Sequence, residues 1–128
     1  MSDDYSTALR VLMMPRDTNH EGSVFGGVIL SHIDQAGYVE ARQHGINRWV
    51  TAAIDRVDFV APVFTGDIVT YLTRTSRLGT TSVTVEVRVE AERRLNGEHV
   101  HVTTAQLVLV SIDKNGKPSP FAGGGNPT

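Results

Sequence analysis

The sequence contains no cysteine, so it can form neither a disulfide nor a thiolate nucleophile, and a metal would need His and carboxylate ligands. It also has no apolar run near the roughly 20 residues of a membrane span, and its N-terminus lacks the basic start of a secretion signal. Lys and Arg number 12 against 14 Asp and Glu, so no excess of positive charge favours nucleic acid or an anionic membrane. We therefore expect a cytoplasmic protein without nucleic-acid or membrane partners.

Leucine is scarce, with 8 residues against 17 Val, 6 Ile and 13 Thr. Because β-branched side chains suit the pleated surface of a sheet, this balance favours strands over a helix bundle. The length of 128 residues leaves room for one domain, at roughly 100–200 residues per domain. We interpret residues 1–128 as a single domain that ends in a flexible tail from about residue 119 to residue 128.

Strict alternation of apolar and polar residues predicts a half-buried strand over residues 83–92. Its apolar positions are Val83, Val85, Val87, Val89 and Ala91. Hairpin turns are predicted on either side, at residues 78–81 and at Asn96-Gly97. The alternation slips at Thr103-Thr104, which indicates a bulge or burial on both faces. The other strands are expected over residues 8–14, 49–60, 67–77 and 100–112.

One helix is predicted over residues 27–44, where apolar residues recur at steps of three and four and Gly45 follows as a stop. Since apolar residues surround much of its circumference, we expect this helix to be buried. A strand, a buried helix and four further strands on short turns favour an α+β fold, with an antiparallel sheet wrapped around one long central helix. A doubly wound α/β fold would need repeated helices.

Gly26 and Gly27 lead directly into the helix, whose first N–H groups are free to donate. Those donors, at the positive end of the helix dipole, can polarise a carbonyl or hold an oxyanion. The alternative is a tight loop that merely enters a buried helix.

Asp34 lies within the predicted helix, where an unpaired buried carboxylate would be costly. It therefore needs a partner, a ligand or a pocket; the alternative is a solvated position beside Ser31 or Gln35. Gly27 is two turns away, about 10 Å along the axis. One small group could reach both residues only if the chain bends or a second subunit supplies one of them.

The histidines give no metal site, because His99 and His101 share a strand face without a third ligand at suitable spacing. We therefore predict no metal. His20 could act as a general base. Arg74 and Arg77, with the hairpin at residues 79–82, could bind a phosphate; the alternative is an exposed hairpin with solvated arginines.

These residues together resemble the hotdog-fold acyl-CoA thioesterases, in particular the YciA-like acyl-CoA hydrolases. The resemblance extends from about Leu9 to Pro118. It is carried by Pro15-Arg16-Asp17-Thr18-Asn19, Gly22, Phe25-Gly26-Gly27, Asp34, Ala36, Val50-Thr51, Asp55, Phe59, Pro62-Val63, Gly66-Asp67, Gly79-Thr80-Thr81-Ser82 and Val110-Ser111-Ile112-Asp113. It implies hydrolysis of an acyl-CoA thioester with no cofactor, coenzyme A being only part of the substrate.

The resemblance also implies roles for single residues. Asp34 is expected to be the catalytic general base or nucleophile, Asn19 to position water or substrate from the other subunit, and Gly27 to donate its N–H to the thioester oxygen. Residues expected to bind the substrate are Phe25, Gly26, Arg77, Gly79, Thr80 and Ser82. His20 and Glu21 receive no role, and the glycine-rich ending lacks the basic segment of some relatives.

An active site between two protomers follows from the same resemblance, with a homodimer that shares one continuous sheet and assembles into a hexamer as a trimer of dimers. Two other functions remain open. One is a hotdog-fold hydratase or dehydratase that pairs His20 with Asp34. The other is a non-catalytic acyl-CoA sensor, for which the sequence offers no DNA-binding helix pair. Acyl chain length is not encoded in any motif.

Overall fold

The fold consists of one curled antiparallel sheet and one long helix, seen in a computed structural model that describes residues 4–121. The elements in chain order are β1 (Ser6–Leu12), a 3₁₀ turn (Pro15–Asp17), α1 (Gly26–Arg42), β2 (Arg48–Ile54), β3 (Ile68–Leu78), β4 (Ser82–Glu92) and β5 (His99–Ile112). Across the sheet the strand order is β1-β3-β4-β5-β2, and α1 packs against all five strands. The expected α+β architecture is therefore confirmed.

The core forms where α1 lies on the inner face of the sheet. The alternating apolar residues of β4 all point inward and are fully buried, as their spacing predicts. They face Ile29, Ile33 and Ala36 on the helix, which are also buried. Each fully buried valine contributes on the order of 1.5–3 kcal/mol, so this interface supplies a large part of the stability.

Gly37 lets the helix approach β5 closely. A Cβ atom at this position would lie 3.1 Å from Cδ2 of Leu107 and 3.4 Å from Cδ1 of Leu109. A larger residue would have to push these leucines aside, so the short distance between helix and sheet depends on glycine here.

Both predicted hairpins are present. In the β3–β4 turn the amide of Gly79 donates to the carbonyl of Ser82 at 2.8 Å. In the β4–β5 turn Arg93 donates to the carbonyl of Glu98 at 2.8 Å, and Gly97 has a φ of +71°. That left-handed conformation explains the Asn-Gly pair, because glycine adopts it without steric penalty.

The predicted irregularity in β5 is a bulge. Val89 pairs with Thr103, whereas the next residue of β4, Glu90, pairs with His101, so Val102 is the extra residue. Val102 and Thr103 are both buried, although neighbours in a regular strand point to opposite faces. The slip in the alternation of the sequence therefore has a direct structural cause.

The strand expected over residues 49–60 ends at Ile54. Beyond it, the amide of Asp55 donates to the carbonyl of Gln106, and the amide of Val60 donates to that of Val102. Between these two hydrogen bonds the segment advances by five residues, whereas β5 advances by only four. The pairing loses its register across this mismatch, and residues 55–60 run beside β5 without forming a strand.

The helix is not buried all round, contrary to expectation. Its inner face is covered by the sheet, but Leu30 is 37 % exposed and Tyr38 and Val39 are each 39 % exposed. A single five-stranded sheet covers only one side of a helix, which leaves an apolar outer face within one protomer. Asp34 lies on this outer face and is exposed.

A second carboxylate on α1, Glu40, is buried at 6 % exposure. Thr73 donates to its Oε1 at 2.9 Å, and Thr75 donates to its Oε2 at 2.7 Å. His44 Nε2 lies 2.7 Å from the Thr75 hydroxyl oxygen. These contacts satisfy the buried charge and tie the end of the helix to β3.

Residues 119–121 pack against the rest of the fold, although the chain end was expected to be flexible from about residue 119. The amide of Ser119 donates to the carbonyl of Ser111 at 2.7 Å. Phe121 is 3 % exposed, and its ring centroid lies 4.9 Å from that of Trp49. Burial of one aromatic ring holds this segment, and residues 122–128 of the expected tail lie outside the described residues.

Replacing Phe121 with alanine should lower the free energy of unfolding by about 3 kcal/mol, because a buried aromatic side chain is lost. The emission of Trp49, the only tryptophan of the chain, should shift to longer wavelength as its ring becomes exposed. Urea unfolding followed by tryptophan fluorescence measures both effects. Leu95→Ala, at a residue 85 % exposed, is the control and should change neither. An unchanged midpoint in Phe121→Ala would contradict the docking.

Candidate active site

The start of α1 offers two unused backbone donors. The loop that precedes it is fixed by hydrogen bonds from Val24 to the carbonyl of Val63 at 2.7 Å and from Phe25 to that of Asp17 at 3.0 Å. Within residues 4–121, the amides of Gly26 and Gly27 have no acceptor. No atom lies within 4 Å of the position that a Cβ of Gly27 would occupy. An incoming carbonyl oxygen can therefore approach this helix start.

Asn19 organises the loop before the helix. Its Oδ1 accepts from the amides of Glu21 at 2.8 Å and Ser23 at 3.2 Å, and its Nδ2 donates to the Ser23 hydroxyl at 3.2 Å. An amide nitrogen carries two hydrogens, so one N–H of the Asn19 side chain remains available to a ligand.

Asp34 lies two turns further along the helix and faces β2. The hydroxyl of Thr51 donates to its Oδ1 at 2.5 Å. Neither alternative partner is used, since Ser31 donates to the carbonyl of Val28 and Gln35 forms no bond with the carboxylate among the described residues. Oδ2 has no partner within residues 4–121. The carboxylate is thus held by one oxygen and free at the other.

An open depression of about 500 Å³ lies beside this carboxylate. It is lined by Asp34, Gln35, Tyr38, Trp49, Val50 and Thr51. Helix and edge strand contribute equally to it, with apolar side chains around a single acid. The depression has room for a water molecule and part of a larger substrate.

Thr51 was not assigned a role from the sequence, although Val50-Thr51 is part of the resemblance. The register of β2 against β5 shifts between Thr51 and Ala53, so an irregularity in the edge strand lies beside the residue that reaches Asp34. No period in the sequence marks this irregularity, because most of β2 is exposed on both faces.

The helix start and the carboxylate remain separate within one chain. Asp34 follows Gly27 by seven positions on a continuous helix, which corresponds to about 10 Å along its axis. No bend brings them together. One chain therefore presents two separate groups of candidate residues, one with amide donors and one with a carboxylate, which we call candidate half-sites.

The hairpin at residues 78–82 lies far from the helix start. It forms one end of β3, while the loop before α1 contacts the other end through a bridge between Ser23 and Phe64. The 11 residues of β3 span about 35 Å. Within a chain, Arg77, Gly79, Thr80 and Ser82 are therefore not brought to Phe25, Gly26 or Gly27.

Arg74, which precedes this hairpin, is engaged by a carboxylate. Its Nε lies 2.8 Å from Glu86 Oε1, and this hydrogen bond raises the pKa of Arg74. Its guanidinium also stacks over the ring of Tyr5, 4.9 Å from the centroid. Arg77, in contrast, is exposed at the end of the strand.

Three of the histidines lie beside glutamates. His20 is 87 % exposed and lies 3.4 Å from Glu21, so the pairing with Asp34 that a hydratase would need is not formed within one chain. His101 lies beside Glu90, and His99 beside Glu92. In the part of the chain that the structure describes, no three His, Asp or Glu side chains are placed to share a metal ion. No helix within it is long and apolar enough to cross a membrane.

Comparisons with known proteins agree on one family. A family model described as thioesterase superfamily matches residues 21–98. The acyl-CoA thioester hydrolase YciA of Salmonella typhimurium is 35 % identical over 116 residues, which cover 88 % of this chain and 87 % of that protein.

Two solved structures have the same fold. A hexameric hotdog-fold thioesterase of Campylobacter jejuni is 42 % identical, with a TM-score of 0.84 and coverage of 90 % of this chain and 89 % of its own. An acyl-CoA hydrolase from Staphylococcus aureus, in complex with butyryl coenzyme A, coenzyme A and coenzyme A disulfide, is 34 % identical. Its TM-score is 0.81, with 94 % of this chain and 73 % of that chain covered. The hotdog fold expected from the sequence is confirmed.

Proposed function

The chain belongs to the thioesterase superfamily, and we propose that it is an enzyme that hydrolyses acyl-CoA thioesters to a free carboxylic acid and coenzyme A. The observation that carries the proposal is the Asp34 carboxylate, held at one oxygen by Thr51 and free at the other beside an open depression. A fixed carboxylate with an unused oxygen can take a proton from water or attack a carbonyl carbon.

Hydrolysis by the general-base route proceeds in two steps. Asp34 accepts a proton from water while the water oxygen bonds to the thioester carbon, and the amide of Gly27 stabilises the resulting oxyanion. The tetrahedral intermediate then expels the coenzyme A thiolate, which takes the proton held by Asp34 and so regenerates the carboxylate. In the nucleophilic route Asp34 attacks first and expels the thiolate. Water then hydrolyses the mixed anhydride, which frees Asp34 and the acid and supplies the proton of the thiol. Both routes consume one water and need no metal or redox cofactor.

We place each active site between two protomers. The helix start and Asp34 are about 10 Å apart in one chain, whereas a thioester carbon and its oxygen are bonded neighbours. An antiparallel arrangement of two helices about a two-fold axis would bring the helix start of one protomer to the carboxylate of the other. Asn19 then offers its remaining side-chain N–H to the water that Asp34 of the other chain deprotonates, or to the thioester that it attacks.

The surface that would bring two protomers together is apolar and surrounds Asp34. It includes the outer face of the helix, with Leu30, Tyr38 and Val39, and the edge strand, with Val50 42 % exposed. Unpaired backbone groups on β2 can extend the sheet into a second copy. Assembly into a trimer of dimers is part of the proposal and is supported by the hexameric relatives.

Coenzyme A is expected to lie along the hairpin of the second protomer. This hairpin lies at the same end of the fold as the C-terminal end of α1, where His44 contacts Thr75. In an antiparallel helix pair that end adjoins the helix start of the other chain. Phe25 and Gly26 would then contact the acyl end, while the partner's Arg77, Gly79, Thr80 and Ser82 face the nucleotide. A cytoplasmic location belongs to the same proposal, since acyl-CoA is an intracellular substrate.

Variants of two relatives support the choice of residues. Structures of the S. aureus hydrolase include an Asn→Ala and a Thr→Ala variant whose positions stand 32 residues apart, and Asn19 and Thr51 have the same separation. A hexameric broad specificity acyl-coenzyme A thioesterase has been solved as an Asp→Ala variant. The same three residue types make up the two half-sites proposed here.

Asp34→Asn should lower kcat with acyl-CoA by about 10²–10⁴-fold, because an amide can neither accept the proton nor attack the carbon. Release of free thiol from an acyl-CoA panel measures the rate, and size-exclusion chromatography checks that the assembly is retained. Asp113→Asn, in an exposed turn, is the matched control and should keep wild-type activity. Full activity in Asp34→Asn would rule out the mechanism.

Thr51→Val should lower kcat about 10–100-fold, since the carboxylate loses the donor that fixes its position while side-chain shape is kept. Thr51→Ser retains the hydroxyl and should recover most of the activity. Steady-state kinetics of both variants on one acyl-CoA decides this. Equal activity of the Val and Ser variants would show that the hydrogen bond to Asp34 plays no part in the reaction.

A mixture of two inactive variants tests the shared site. When Asn19→Ala and Asp34→Asn protomers are unfolded together and refolded in equal amounts, half of the dimers are mixed and one of their two sites is intact. Activity should therefore return to about a quarter of the wild-type value. Separately refolded variants serve as the control. If the mixture stays as inactive as its components, each site is built within one chain.

A further inference from the structure

The Phe59 ring lies against the first residue of the central helix. A Cβ atom on Gly26 would lie 3.3 Å from Cε2 of this ring and 3.6 Å from its Cζ. The ring can lie this close because glycine has no side chain. Gly26 otherwise remains exposed, and no side chain lies against the adjacent Gly27.

An apolar pocket of about 200 Å³ adjoins this ring. Val24, Ile29, Ala61 and Val63 line it together with Phe59 and Gly26. A methylene group occupies about as much volume as a water molecule in the liquid, roughly 30 Å³, so the pocket has room for about six carbons. Seven of the eight lining residues are apolar or glycine, the exception is Ser23, and none is charged, so the lining suits a hydrocarbon chain better than a nucleotide or a phosphate.

The backbone on both sides of Phe59 is held by the bulge in β5. The hydroxyl of Thr103 donates to the carbonyl of Asp58 at 2.8 Å, and the amide of Val60 donates to the carbonyl of Val102 at 2.9 Å. Thr103 lies on the inner face of β5 next to the bulge, and its side chain is 1 % exposed. The ring is thus positioned by the sheet, even though its segment has no regular secondary structure.

We propose that Phe59 is a specificity-determining residue, whose ring forms a wall of the acyl-binding pocket and limits the length of the acyl chain. The inference rests on the proposed thioester hydrolysis, because it places the thioester oxygen at the amide of Gly27. The acyl carbons next to that carbonyl then meet Gly26 and the edge of the Phe59 ring. Thr103 acts through the carbonyl of Asp58 and is a positioning residue.

The length dependence of hydrolysis tests this wall. Values of kcat/KM are measured for saturated acyl-CoAs from two to twelve carbons with the wild type and Phe59→Ala. The ratio of the twelve-carbon to the four-carbon value should rise at least about tenfold in the variant, since single groups in an apolar pocket already discriminate by such factors. Phe64→Ala, at a ring 43 % exposed that does not line this pocket, is the control and should keep the wild-type ratio.

Two variants of Thr103 separate positioning from folding. Thr103→Val keeps the shape but loses the donor to Asp58, so the length profile should shift in the same direction as in Phe59→Ala, mainly through KM. Thr103→Ser keeps the hydroxyl and should restore the wild-type profile. A Val variant that lowers kcat/KM equally at all lengths would contradict the positioning role of Thr103.

Failure of the wall and failure of the enzymatic function give different results. If Phe59→Ala changes kcat/KM by the same factor for every acyl-CoA length, Phe59 does not limit chain length, while the proposed hydrolysis still holds. If the wild type releases thiol from no acyl-CoA, hydrolysis is overturned. Binding of S-alkyl coenzyme A thioethers of the same lengths then tests whether Phe59 limits chain length. If Kd depends on length identically in the wild type and in Phe59→Ala, or if neither binds the thioethers, the proposed role of Phe59 is overturned.

Discussion

The apolar circumference of the central helix is larger than one five-stranded sheet can cover. Ile29, Ile33 and Ala36 are buried against the sheet, while Leu30, Tyr38 and Val39 face outward in the single protomer. An apolar outer face on a helix requires a second covering surface, and the proposed two-fold partner supplies it. The placement of the candidate site follows from this constraint, because Asp34 lies on the face that the sheet leaves open.

Two threonines on the inner face of the sheet supply hydroxyls to the site. Thr103 is in phase with the buried residues further along β5, and its hydroxyl holds the segment that carries Phe59. Thr51 is in phase with the buried Trp49 on β2 and reaches Asp34. Side chains two residues apart point to the same face of a regular strand, so ordinary alternation places both hydroxyls. The bulge in β5 and the register shift in β2 lie next to these residues and end the regular pairing there.

Local patterns in the sequence predict the elements well where one face is buried. The alternation in residues 83–92, the Asn-Gly turn and the slip at Thr103-Thr104 each correspond to a structural feature, and the helix ends within two residues of its predicted bounds. The predicted bounds of the elements are wrong where burial depends on contacts that are distant in the sequence. No pattern near Phe121 predicts that its ring packs on Trp49. The edge strand ends at Ile54 because the segment after it loses register with β5, about 50 residues away in the sequence.

The candidate site was predictable in part. Glycines at a helix start and an acid within a helix are visible as residue types, so Gly27 and Asp34 could be chosen from the sequence. The exposure of Asp34 could not be predicted in this way, because it depends on which side of the helix the sheet covers. The roles of Thr51 and Phe59 depend on contacts with Asp34 and Gly26, which lie 17 and 33 positions earlier, on the helix. No local pattern in the sequence predicts such contacts.

Two carboxylates on the same helix illustrate how burial separates a structural role from a chemical one. Glu40 is buried against the sheet, where Thr73 donates to one of its oxygens and Thr75 to the other. Asp34 has one threonine on one oxygen, and its other oxygen has no partner within the described residues. A buried carboxylate is costly unless hydrogen bonds compensate for the lost water, and the same burial keeps a substrate away from it. Of the two acids on the helix, Asp34 is therefore the one that a substrate can reach, and the proposed second protomer would shield it from bulk water.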